Sequence, residues 1–212
     1  MKTLSAKAFA EFVLAGPSKK AQIVRNILKP KSKEAKAIAL YYARAIRIIR
    51  LYHAKGNDTQ YLKQEVGSLE KKLEAATSPQ ARASLKNNLR AVKSYMEVYG
   101  YRKRTLVPRP RIAYTHGTVR ISASPDLAVY EDGKLKLVKL GIKKQADNPE
   151  VVRIMLRVIY QAAKSEGKKV EPHDVVYFDV ANAARIRSKH GDSDLETTID
   201  NNCNALAGMI NA

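Results

Sequence analysis

The chain of 212 residues carries 39 lysines and arginines against 20 acids, a formal charge of +19, and a single cysteine, Cys203. One cysteine excludes an internal disulfide framework and a cysteine-built metal knuckle and fits a cytoplasmic setting, and the absence of any apolar run near 18 residues argues against a membrane span. The charge is uneven: residues 1–110 hold 24 basic and 7 acidic residues, whereas residues 111–212 hold 15 and 13, so a polyanion meets mainly the first half and nucleic acid is the leading partner class.

Met1–Ala10 has a basic start, but Glu11 interrupts it before an apolar leader region forms, and residues 3–14 read as a short helix with Phe9, Phe12 and Val13 on one side. Gly16-Pro17-Ser18 ends it, and Ser18 is placed to cap a second helix over Lys19–Leu28, which Pro30 stops. A longer helix is expected from Lys33 to Ala54. Ile38, Tyr41, Tyr42, Ala45, Ile48, Ile49 and Tyr52 recur there at three- and four-residue spacings, while Lys36, Arg44, Arg47 and Arg50 lie mostly off that stripe. Its tyrosines suit core packing, with stacking on bases as the alternative, and its arginines suit phosphates.

Gly56-Asn57-Asp58 is a turn, with Asp58 or Thr59 as the cap of a helix to about Ala76. Ser78-Pro79 opens the next, 79–99, since serine satisfies a free N–H and proline loses nothing at the first helical position. The two form an antiparallel hairpin, and Leu85, Leu89 and Val92 are the residues expected to pack it on a sheet. After Gly100 comes the densest basic cluster, Arg102, Lys103, Arg104, Arg109 and Arg111, interrupted by Pro108 and Pro110, which keep the chain extended. With Arg44, Arg47 and Arg50, these are the candidate phosphate contacts.

The second half is strand-rich. Arg111–Thr115 leads through a His-Gly turn to Thr118–Ser122, and Asp126–Tyr130 comes after a Ser-Pro break. Asp132-Gly133 then turns the chain into Lys134–Gly141. Asn148-Pro149 opens a helix that ends near Gly167, Asp174–Val180 reads as an inner strand, and residues 192–211 as a last helix. The fold expected is α/β, a mixed sheet with flanking helices. Its division is a basic helical region over 1–100 and a core over 101–212, with helix 79–99 packed on the core.

The order of helix, strands, helix and strand, together with Ser124-Pro125-Asp126 opening a strand and the Asp132-Gly133 hairpin leading to Lys139, resembles the PD-(D/E)xK nuclease superfamily in its RecB-like and Cas4-like branch. The resemblance spans about residues 90–180 and implies a restriction-endonuclease-like sheet. It also implies a metal-dependent nuclease centre with Asp126 as metal ligand and Lys139 as the lysine, and Glu97 on the preceding helix as a second carboxylate. Mg²⁺ or Mn²⁺ would be the cofactor of such an enzyme. Tyr160 fits the family's tyrosine in the next helix, but Leu156 stands where a glutamine belongs. The second strand acid is also missing. If Lys139 takes the lysine position the acid position is Leu137, and if Lys139 takes the acid position the lysine position is Gly141. The expected function is therefore nucleic-acid binding on a nuclease-like fold without catalysis and without a cofactor. The alternatives are an active DNA or RNA nuclease using Asp126 and Glu97, and a structural or protein-binding component of a phage, plasmid or defence assembly with a protein partner or a second copy. His53, His116, His173 and His190 share no metal-ligand spacing.

Overall fold

The computed structural model of the protein describes residues 3–29, 41–180, 182–188 and 193–211. Chain order begins with β1 (Thr3–Ser5), α1 (Ala6–Val13), α2 (Pro17–Leu28), α3 (Ala43–Ala54), α4 (Thr59–Ala75) and α5 (Pro79–Tyr99). It continues with β2 (Thr105–Leu106), β3 (Ala113–His116), β4 (Val119–Ser122), β5 (Leu127–Glu131), β6 (Lys134–Gly141), α6 (Pro149–Ser165), β7 (Val175–Asp179), β8 (Ala184–Arg187) and α7 (Ser193–Asn211). Lys36, Ile38 and the expected start of the third helix, and His190, lie outside the described residues.

Local chemistry sets several of these boundaries. Asp58 accepts from the Gln60 N–H at 2.9 Å, Ser78 from Ala81 at 3.1 Å and Asn148 from Glu150 at 2.8 Å, each satisfying a helix N–H that has no intrahelical partner. Gly133 takes φ +73° in the β5–β6 turn beside Asp132 at φ +53°, the paired left-handed conformation a tight hairpin needs.

Five strands form a mixed sheet in the order β2-β5-β6-β7-β8. Neighbours are antiparallel except β6 and β7, which run parallel and are joined through α6. A parallel pair needs such a crossover. Alternate strand residues point to opposite faces. Leu127, Val129, Val138, Leu140, Val176 and Phe178 face a core built with α3, α4 and α5. Ala128, Leu137, Val175 and Tyr177 face one built with α1, α6 and α7. The chain is thus an α/β protein with helices on both faces of a mixed sheet.

Three local features differ from the sequence expectation. Thr3–Ser5 is a strand rather than the first turn of a helix, because it pairs parallel with β4 in a separate three-stranded sheet, β1-β4-β3. Arg111–Thr115 and Thr118–Ser122 are near β3 and β4, but they belong to this small sheet and not to the one that holds Asp126. β2 and β8 add edge strands that the sequence does not announce. Val92 is buried in the second core, with Leu85 and Leu89 packed against it, so α5 lies directly on the large sheet. Among the described residues, no helix is long and apolar enough to cross a membrane.

Candidate functional site

The pairing of β5 and β6 sets which residue stands opposite Asp126. Leu127 lies opposite Val138, so Asp126, one residue earlier, faces Lys139, one residue later. Lys139 Nζ is 2.9 Å from Asp126 Oδ1, and the Leu140 N–H donates to Asp126 Oδ2 at 2.9 Å. Lys139 is therefore the residue that stands across the strand pair from Asp126. Both carboxylate oxygens of Asp126 are already engaged. The side chains are 14% exposed for Asp126 and 28% for Lys139, so the pair is only partly screened by water.

A second carboxylate reaches the same cleft from an unexpected place. Asp147, in the loop between β6 and α6, is ion-paired with Lys7 of α1 and accepts a hydrogen bond from the Tyr177 hydroxyl at 2.8 Å. Burial acts to raise the Asp147 carboxyl, but hydrogen bonds from Lys7 and Tyr177 and the positive charges of Lys7 and Lys143 outweigh it and hold it below the usual carboxylate range. Burial and the Asp147 carboxylate together push the Tyr177 hydroxyl upward, so it stays a proton donor. Gly141 makes this arrangement possible: a Cβ there would overlap the Tyr177 hydroxyl and ring. Lys7, Asp126, Lys139, Lys143, Asp147 and Tyr177 are among the residues lining a cavity of about 220 Å³.

This donor set does not suit a divalent ion. Each carboxylate already has a lysine partner, and the ammonium of Lys139 is the cation beside Asp126. Among the described residues, no three His, Cys, Asp or Glu side chains converge where one ion would touch them all. Glu97, the expected second ligand, is exposed on α5, whose buried residues Val92, Tyr95 and Tyr99 pack on the face of the sheet opposite to Leu137 and Tyr177. Glu97 is not among the residues that line the grooves around Asp126.

The candidate phosphate contacts divide into groups. Arg47 and Arg50 of α3, with Arg109, line a groove of about 540 Å³ that reaches Asp126. Arg47 also lines a neighbouring groove of about 270 Å³ together with Arg44 and Lys72. Through shared Arg47 and shared Asp126, these two grooves and the lysine cleft run on from one another. Arg109 arrives there because residues 105–107 run antiparallel along β5, with Leu106 opposite Val129 and the Val107 N–H donating to the Ala128 carbonyl. The same register carries Arg102 and Lys103 to the other end of β5, where both are exposed. Arg111 is exposed just before β3.

Arg104 is a correction. Its side chain is 1% exposed, and it donates through Nε to Glu131 Oε1 at 2.9 Å and through Nη1 to the Tyr99 carbonyl at 3.0 Å. Strand alternation turns it inward between exposed Lys103 and Thr105. Glu131 is also held by Arg185 at 2.7 Å, and both guanidiniums lie over the Phe178 ring. Burial acts to raise the Glu131 carboxyl, and the two arginines overcome it to hold it low. Arg104 is thus a buried structural cation, unavailable to phosphate.

Among the described residues, the histidines form no shared centre. His53 is buried, its Nδ1 2.7 Å from Asn57 Oδ1 and its Nε2 2.6 Å from the Tyr95 hydroxyl. Asn57 Oδ1 also accepts from the Arg104 N–H, which leaves His53 Nδ1 as donor and Nε2 as acceptor. Burial lowers its pKa to about 4, so it is neutral in the fold. His116 instead meets Asp200 and Asn204 of α7, and His173 sits beside Asp174.

Sequence reasoning passes over Lys7, Asp147 and Tyr177. No local pattern marks them, because they meet only through the β1–β4 pairing, the β6–β7 pairing and the loop before α6. No protein-family model matches the chain, and no curated protein matches it either.

Proposed function

We propose that this protein binds nucleic acid through its phosphates, without reading sequence and without cleaving, on a restriction-endonuclease-like scaffold whose metal position is taken by Lys139. The observation that carries this reading is the convergence of Arg47, Arg50 and Arg109 in one groove that ends at the Asp126–Lys139 pair. Three guanidiniums along a groove can each take a phosphate, contacts that hold the backbone without reading sequence. At the end of the groove, where a nuclease would hold a cation between carboxylates, an ammonium satisfies Asp126 from within the chain. That arrangement favours retention of the backbone over activation of water.

The test is a binding and cleavage assay with labelled single- and double-stranded DNA and RNA, across a salt series, in Mg²⁺, Mn²⁺ or chelator. Salt-sensitive binding without cleavage is expected. The triple variant Arg47→Ala/Arg50→Ala/Arg109→Ala is expected to weaken binding on all sequences and to flatten the log–log salt slope by about 2–3, near 0.9 per lost phosphate contact on a duplex. Metal-dependent cleavage abolished by Asp126→Asn would overturn the non-catalytic reading. Absence of any binding at moderate salt would leave a structural or protein-binding role.

A further inference from the structure

A second groove lies at the opposite end of β5 from Asp126. It opens to about 720 Å³ between the hairpin turn of β5 and β6 and the loop after α6. Tyr130 and its cross-strand partner Leu135 line it, and Lys134, Lys168 and Lys169 stand exposed around it. Two turn glycines line it. Gly133 and Gly167 have φ of +73° and +70°, and a Cβ at either would meet nothing within 4 Å.

The acids behind this groove are committed internally. Asp174 is ion-paired with Lys136 and accepts from the Glu171 N–H at 3.0 Å, while the Glu171 carboxylate accepts a backbone N–H in the reciprocal bond of a capping box. Lys134, Lys168 and Lys169 are exposed, so the groove sets three ammoniums against the carboxylates of Glu171 and the lysine-paired Asp174. Tyr130 is 48% exposed, in a strand whose neighbours Val129 and Glu131 are buried. A large aromatic left half-wet among three cations, in an open groove, has the composition of a stacking platform with a cationic margin.

We infer that the Tyr130 groove takes an unpaired stretch of single-stranded nucleic acid, one base lying on the Tyr130 ring and its flanking phosphates on Lys134, Lys168 and Lys169. This rests on the nucleic-acid reading above and adds a strand class to it. A duplex keeps its base faces stacked on one another and offers the tyrosine nothing. An acidic peptide would use the lysines but leave the ring without a partner. Asp126 and Tyr130 are four strand residues apart, about 13 Å, so this site is separate from the arginine groove.

The chain contains no tryptophan, so Tyr130→Trp installs a single fluorophore at the site on an exposed strand position that accepts it. The variant is titrated with a short single-stranded oligothymidylate, a blunt duplex of equal length and poly-glutamate, at two salt concentrations. Quenching by the single strand alone, weakened by salt and by Lys168→Ala/Lys169→Ala, is expected. In parallel, Tyr130→Ala is expected to lower single-strand affinity about 5- to 150-fold while duplex affinity holds. Three results overturn the inference and leave the nucleic-acid reading standing: single-strand binding with no quenching, equal quenching by duplex, or unchanged single-strand affinity in Tyr130→Ala. Quenching by poly-glutamate in place of the oligonucleotide overturns it in favour of an acidic protein partner. A chain that binds no nucleic acid in any assay overturns both readings.

Discussion

Gly141→Ala probes the geometry of the Asp126 cleft with one methyl group. Gly141 is not among the residues with positive φ, so alanine meets no backbone penalty there. Elsewhere such a change stabilises by about 0.4–1 kcal/mol, because the unfolded chain loses freedom. At this position the added Cβ would overlap the Tyr177 hydroxyl and lie 2.8 Å from Cε1, where carbon atoms rest at about 3.5–4 Å. The ring must therefore withdraw by roughly 1 Å. Tyr177 is 2% exposed within the core, and forcing it aside is an overpacking cost of about 1–3 kcal/mol. A shift of that size also strains or breaks its 2.8 Å bond to Asp147, a hydrogen bond to a charged group worth about 1.5–3 kcal/mol. The loss is about 3–6 kcal/mol, and at about 2–4 °C per kcal/mol for a chain of this size the melting temperature falls by roughly 6–24 °C. Differential scanning fluorimetry with a urea titration measures it. A Gly141→Ala protein as stable as the parent, or slightly more so, would refute the claim that Tyr177 crosses over this glycine to reach Asp147.

Lys139→Glu sets a third carboxylate beside Asp126 and Asp147, and it is expected to give a chain whose melting temperature rises with Mn²⁺ and falls back with chelator, by about 2.7 kcal/mol at a hundredfold excess over Kd; indifference to the metal would mean that Lys139 does not hold a cation position. Arg104→Ala takes one of two close cations from buried Glu131, leaving Arg185, and should cost up to about 3–5 kcal/mol, whereas Arg102→Ala, from a side chain 43% exposed, should cost about 1 kcal/mol or less; equal effects in chemical denaturation would contradict the burial of Arg104. The lowered pKa of His53 predicts a pH-dependent loss of stability: the unfolded chain takes up a proton near pH 6.5 and the folded one only near 4. His53 therefore supports the fold fully above pH 6.5 and loses that support between 6.5 and about 4, some 3 kcal/mol in all, and the step should vanish in His53→Gln. Glu131, Asp147 and Asp174, all held low, contribute stability above the usual carboxylate range near pH 4 that disappears as the pH drops further, so acid unfolding should sharpen there.

Legibility in the sequence tracks the range of the forces involved. The Asp132-Gly133 turn, the Lys134–Gly141 strand and the caps Asp58, Ser78 and Asn148 are local and stand where turn and capping chemistry puts them. Thr3–Ser5 escapes a local reading because nothing within ten residues tells a strand from a helical first turn; Arg120–Ser122 does. β2, at two residues, and β8, at four, are too short to display a period of two. The run Arg102-Lys103-Arg104 offers three equivalent cations in sequence, and only the register with β5 and the position of Glu131 separate the buried one from the other two. Lys139 becomes the partner of Asp126 only once Leu127 meets Val138. Asp147 carries no pattern of its own, since its partners lie near the start of the chain and on β7.

The parallel pairing of β1 with β4 also bears on how the chain is made. Thr3–Ser5 and α1 leave the ribosome ahead of every strand and helix they join: β1 needs Val119–Ser122, Lys7 needs Asp147, and Phe9 and Phe12 lie in a core built with α6. At about 5–20 residues per second, the interval until α6 has been synthesised is on the order of 10 to 30 seconds. Through that interval two phenylalanines of a basic nascent chain have no destination, and a segment made ahead of all its partners is among the last to be seated. Non-local closure of this kind is slow and leaves apolar surface uncovered. The lysine cleft, walled on one side by Lys7, is completed only at that closing step, so a chain caught before it would display the α3 arginines but not the finished cleft at the end of their groove.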